Sequence, residues 1–115
     1  MKKIQNLLIK LSQLLINNNE KNWGNALLRL HKESFNYEGK NYDPYFIRRI
    51  MNIYGGMGSF NDLILHKNMK PLKKENDELD DLRNDLYEEC ANLRTKKQSS
   101  YSEENEYKEN KAKNN

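Results

Sequence analysis

Three residues in the middle of this chain have the types that acyl transfer uses. Ser59, Asp62 and His66 fall within eight positions and could serve as nucleophile, orienter and base. They follow Gly55-Gly56-Met57-Gly58, three glycines in four residues, whose bare N–H groups invite a phosphate-cradle reading as well. The spacing supports neither. No Gly-x-x-x-x-Gly-Lys-Ser/Thr or Gly-x-Gly-x-x-Gly pattern is present, no nucleophile elbow surrounds Ser59, and triads are assembled from distant segments. The expectation is a structural or binding loop made by Gly55, Gly56, Gly58, Ser59, Asn61 and Asp62, with Asn61 or Asp62 bonding the loop backbone, and no catalytic residue. Metal chemistry has no better footing: Cys90 is the one cysteine, and His31 and His66 have no second Cys or His nearby, so no zinc spacing exists and no cofactor is expected. A lone cysteine also fits a reducing, cytoplasmic compartment.

The other chemistry on offer is charge. The formal sum is only +3, from 20 basic and 17 acidic residues, but the charge is segregated along the chain. Residues 1–56 carry +5, residues 57–74 carry +3, and residues 75–94 hold eight acids against Arg83 and Arg94. On a helix at about 100° per residue, with Leu79 as origin, Asp77, Asp81, Asp85 and Glu88 fall near 160° to 240° and Glu78 and Glu89 border them. A solvated face ordinarily alternates its signs, and like charges four apart repel by about 0.2–0.5 kcal/mol per pair. A face that tolerates this suits a cationic partner. The partner-binding residues expected here are therefore Asp77, Glu78, Asp81, Asp85, Glu88 and Glu89. The acids do not form an EF-hand, and ligands spread along one helix cannot converge on a metal ion.

Helices must position both features. Ile4, Leu7, Leu8, Leu11, Leu14 and Leu15 recur at steps of three and four and predict a helix over residues 2–16, stopped by Asn17-Asn18-Asn19. Trp23, Ala26, Leu27 and Leu30 restart the period in a second helix that fades near Phe35. Asp43-Pro44 is an N-cap followed by the residue best suited to the first helical position, so a third helix is expected from Pro44 to Tyr54, with Gly55 capping it in a left-handed conformation. Leu63-Ile64-Leu65, a turn over His66 to Lys70, and Pro71-Leu72 predict a small hairpin that needs the helices to pack on. Leu79, Leu82, Leu86, Cys90 and Leu93 then mark a long helix from Lys74 to Lys96.

The fold expected is mainly α, a bundle of about four helices with a glycine-rich loop and short hairpin before the last helix. Its domain would span residues 1–97, and residues 98–115 read as a disordered polar tail or a frayed helical extension. A hydrophobic content of 36% and a mean hydropathy of −1.12 allow one lean core and no second domain. Polar residues interrupt the N-terminal leucines, against a secretory signal, and no apolar run approaches the roughly 20 residues that span a bilayer.

The segment Tyr54-Gly55-Gly56-Met57-Gly58-Ser59-Phe60-Asn61-Asp62-Leu63-Ile64-Leu65, with Asn22-Trp23 before it and Leu82-Arg83-Asn84-Asp85-Leu86-Tyr87-Glu88 after it, resembles a family of small uncharacterised bacterial proteins over about residues 20–90. Members look like accessory proteins encoded beside bacterial toxins, so the resemblance implies a small helical domain and an immunity protein, and supplies no catalytic residue. With the acidic face it leads to an expected function: a non-catalytic immunity protein that occludes a toxin, a basic nuclease, stoichiometrically. The alternative is a nucleic-acid-associated regulator using Lys2, Lys3, Lys10, Lys21, Arg29, Lys32, Arg48 and Arg49 with Lys67, Lys70, Lys73 and Lys74. The surplus of leucine on the first helix also leaves a homodimer open.

Overall fold

The computed structural model describes residues 1–37, 43–55 and 58–114, with side chains as far as residue 94. Helix α1 spans Lys2–Asn17 and buries Ile4, Leu7, Leu8, Leu11 and Leu15, the stripe its period predicts. The asparagine run ends it by a defined motif. Asn19 takes the left-handed conformation (φ 66°), its N–H bonds the Ile16 carbonyl at 3.2 Å, and the Glu20 N–H reaches back to the Leu15 carbonyl at 2.8 Å. That is a Schellman cap with asparagine in the place glycine most often holds.

Helix α2 (Lys21–Ser34) turns back against α1. Gly24 lets the two helices close: a Cβ there would lie 2.6 Å from Ile16 Cγ1 and 3.3 Å from the Ser12 carbonyl oxygen. Leu27 is buried, and His31 Nδ1 lies 3.0 Å from the Gln5 carbonyl, so a histidine without a zinc partner links α2 to α1. Helix α3 (Pro44–Asn52) starts as its sequence predicts, with Asp43 Oδ1 accepting from the Tyr45 N–H at 3.0 Å and Pro44 at the first position. Phe46, Ile47 and Ile50 face the core.

Two local expectations fail here. α3 stops at Asn52 and not at Tyr54, and Gly55 does not cap it. Ile53, Tyr54 and Gly55 instead donate to the carbonyls three residues back, the tighter bonding that often finishes a helix, while among the described residues a left-handed glycine comes later, at Gly58 (φ 74°). The hairpin is present but shifted. β1 (His66–Lys67) pairs antiparallel with β2 (Lys70–Pro71), His66 opposite Pro71 and Lys67 opposite Lys70, around a two-residue turn in which Asn68 and Met69 both have positive φ. That is the twist two-residue hairpins favour. Leu63 to Leu65 lie before the strands because Leu65 is pulled into the core.

The last helix, α4 (Lys73–Asn114), packs on α1 and α3 and contributes Leu79, Leu86 and Cys90 to the core, with Leu82 and Leu93 at its edge. The chain is therefore mainly α, with four α-helices among the described residues and one two-stranded ribbon before the last. No helix among the described residues is long and apolar enough to cross a membrane.

Candidate protein-binding face

The outer face of α4 carries the acids as the 100° spacing requires. Asp77, Glu78, Asp81, Asp85 and Glu88 are exposed, and Glu89 is half-buried. Among the described residues, cations meet only the margins of this row. Lys73 Nζ lies 3.2 Å from Asp77 one turn along the helix, and Lys3 Nζ lies 3.5 Å from Glu89 across to α1. Among the described residues Glu78, Asp81, Asp85 and Glu88 have no such partner.

Arg83 does not dilute the row as its place in the sequence implies. It is buried and turned the other way. One of its nitrogens donates to the carbonyls of Phe60 (2.6 Å) and Leu63 (3.0 Å), and the other pairs with Asp80. Asn76 acts alike one turn earlier: Oδ1 accepts from the Leu65 N–H at 2.7 Å and Nδ2 donates to the Leu65 carbonyl at 3.0 Å. Two polar residues thus tie residues 60–65 to α4, beside the Leu72 N–H that also reaches the Leu65 carbonyl at 2.9 Å. Sequence reasoning missed both, although at about 100° per residue Arg83 and Asn76 fall near 40° and 60° from Leu79, on the core side.

The glycine loop hangs from these anchors. Phe60 is its plug, fully buried against Trp23 (ring centroids 5.2 Å apart) and Tyr54 (5.6 Å), with the Arg83 guanidinium over its ring at 5.7 Å. Asp62 Oδ2 accepts from the Gly58 N–H at 2.9 Å, closing the turn that the positive φ of Gly58 opens, as the Asp62 side of the structural reading requires. Ser59 Oγ donates to the Tyr54 carbonyl at 3.3 Å. Gly55 is exposed with open space where a Cβ would stand, and Gly56 lies outside the described residues.

Ser59, Asp62 and His66 do line one open depression, with Trp23, Gly58, Leu63 and Ile64. They do not bond one another. Each engages backbone instead, His66 Nδ1 standing 3.0 Å from the Ile64 carbonyl, so neither a nucleophile–base nor a base–orienter hydrogen bond is formed. Among the described residues no three of His, Cys, Asp or Glu gather as metal ligands would.

The loop and the acidic face meet in one place. Asn61 from the loop, Tyr54 after α3, and Asn84, Tyr87 and Glu88 from α4 line a half-open pocket of about 170 Å³. The Tyr54 hydroxyl donates to the Arg83 carbonyl at 2.8 Å, and its ring meets Tyr87 edge-on at 5.1 Å. Burial, and next the nearby Cys90, hold the Tyr54 phenol well above its ordinary range, and burial pushes the Cys90 thiol up to about 12. Both are neutral at physiological pH.

Over residues 17–73 the chain is similar to a family described as a domain of unknown function (DUF6966). That span covers α2, α3, the glycine loop and the hairpin, and ends where α4 begins. No curated protein and no solved structure matches the chain.

Proposed function

We propose that this protein is a non-catalytic binding protein that occludes a basic protein partner with the outer face of α4, as an immunity protein would occlude a toxin of the nuclease kind. One observation carries the reading: Asp81, Asp85 and Glu88 project to solvent on successive turns, with no cation of the described chain to neutralise them. An unneutralised row of carboxylates speeds encounter with a basic surface and rejects an acidic one. The resemblance of residues 54–65 to proteins encoded beside bacterial toxins supplies the kind of partner.

The nucleic-acid alternative has less to stand on, because Lys3 and Arg49 of the basic half are engaged with Glu89 and Glu33. The test uses the protein encoded beside this one. Calorimetry should give a 1:1 complex whose association slows as salt rises, and the Asp77→Lys, Asp81→Lys, Asp85→Lys triple variant should lose at least about a hundredfold in affinity. Unchanged binding by that variant would remove the acidic face from the function. Retention of labelled DNA or RNA, with the steep salt dependence of phosphate contacts, would support the alternative.

A further inference from the structure

We infer that the pocket lined by Tyr54, Asn61, Asn84, Tyr87 and Glu88 receives a guanidinium group, the side chain of an arginine projecting from the partner. The inference rests on the function proposed above and names the contact at its centre.

The groups that meet in the pocket select the ligand. Glu88 brings a full negative charge with no cation beside it among the described residues. Asn61 and Asn84 bring side-chain amides that form no hydrogen bond within the described protein, so their carbonyl oxygens are open to a donor. Tyr87 brings a ring 43% exposed, and Tyr54 a ring whose hydroxyl is already committed to the Arg83 carbonyl. Three acceptor groups and an aromatic wall, with no lining cation, match a flat cation carrying several N–H donors.

Other occupants fit less well. An anion meets Glu88, with Asp85 and Asp81 on the turns before it. An apolar side chain leaves the carboxylate and both amides without partners. An ammonium finds the charge but cannot lie flat on a ring, and it is the more strongly hydrated of the two cations. The loop side of the pocket is anchored in advance. Tyr54 packs on Phe60 and bonds the Arg83 carbonyl, and Asn61 follows Phe60, which is fully buried and bound to the Ile53 carbonyl at 3.0 Å through its N–H and to Arg83 through its carbonyl. An anchored backbone lowers the ordering cost of binding. An aromatic and carboxylate pocket at the join of loop and helix is the kind of place where an arginine dominates an interface, with the outlying acids acting mainly on encounter.

The experiment uses the full-length protein alone and Nα-acetyl-arginine methylamide as probe. Its uncharged citrulline counterpart has nearly the same shape. In a ¹⁵N-resolved NMR titration the arginine probe should move the side-chain amide signals of Asn61 and Asn84 and the backbone signal of Tyr87 in a saturable manner. Citrulline should bind at least about tenfold more weakly, and Glu88→Gln should weaken the arginine probe by a similar factor. Glu75→Gln, in the first turn of the same helix and away from the pocket, should leave it unchanged. No saturable shift up to about 100 mM probe, equal binding of citrulline, or shifts spread evenly along the acidic row would overturn the inference. The two readings fail separately: the probe titration involves no partner, and the triple charge reversal alters no residue of the pocket.

Discussion

Arg83 constrains the loop more than any single neighbour, because its guanidinium donates to the Leu63 carbonyl and also to the Phe60 carbonyl, which otherwise accepts only the Leu63 N–H. Replacing it with methionine keeps much of the apolar stem but removes both charged hydrogen bonds, leaving the part-buried Leu63 carbonyl without its donor and the Phe60 carbonyl with only the Leu63 N–H at 3.3 Å. Hydrogen bonds to charged groups contribute about 1.5–3 kcal/mol each, so urea unfolding should show a loss of about 3 kcal/mol or more. Its ion-pair partner behaves otherwise. Asp80 is 59% exposed, and Asp80→Ala should lie within about 1 kcal/mol of the parent. Similar losses from the two variants would place the anchoring in the ion pair and not in the carbonyl bonds. Met69 shows a different economy: it sits 95% exposed with φ 66°, a conformation a long side chain tolerates poorly, because the hairpin twist requires it.

At the scale of elements, the sequence was readable wherever one face repeats. The stripes of α1 and α4 and the Asp43-Pro44 start of α3 stand where periodicity and capping put them. Ends defined by hydrogen bonds were less readable. Gly55 has the right type and place for a left-handed cap, but three successive short-range bonds make that cap unnecessary. The acidic row was legible from angle alone, whereas the pocket was not, since it joins residues 54, 61, 84, 87 and 88 through a loop whose path depends on Arg83 and Asn76. The α1–α2 crossing depends on one missing atom group. Gly24→Ala gains up to about 1 kcal/mol of helix propensity but drives a Cβ to 2.6 Å from Ile16 Cγ1 and toward α1 backbone. Overpacking of this kind costs about 1–3 kcal/mol, so thermal unfolding should show a net loss. Ile16→Ala should restore part of it, and a Gly24→Ala protein as stable as its parent would mean that the helices separate freely.

The whole molecule resolves its charge into unequal regions. Among the described residues, basic side chains of α1 and α3 meet acids of α4 and α2 in single pairs, and Glu78, Asp81, Asp85 and Glu88 stay unpaired along the outer face of α4. Its stability should also fall in alkali for an identifiable reason. The native Cys90 thiol keeps its proton to about 12, whereas an unfolded thiol releases it near 9.0, so between these values the unfolded state binds fewer protons and stability declines as pH rises. Tyr54 shifts in the same direction. Denaturant midpoints measured from pH 8 to pH 11 should drop, and less steeply for Cys90→Ala; parallel profiles for the two proteins would exclude the thiol as a source of the decline.

Cys90 has a kinetic consequence too. It is the chain's single thiol, fully enclosed by the core that α4 shares with α1 and α3, and a reagent can reach it only when those helices part. The rate of thiol labelling therefore reads the population or the frequency of that opening, depending on whether reclosure or reaction is faster, and one native residue serves as a clock for the bundle without any label being introduced.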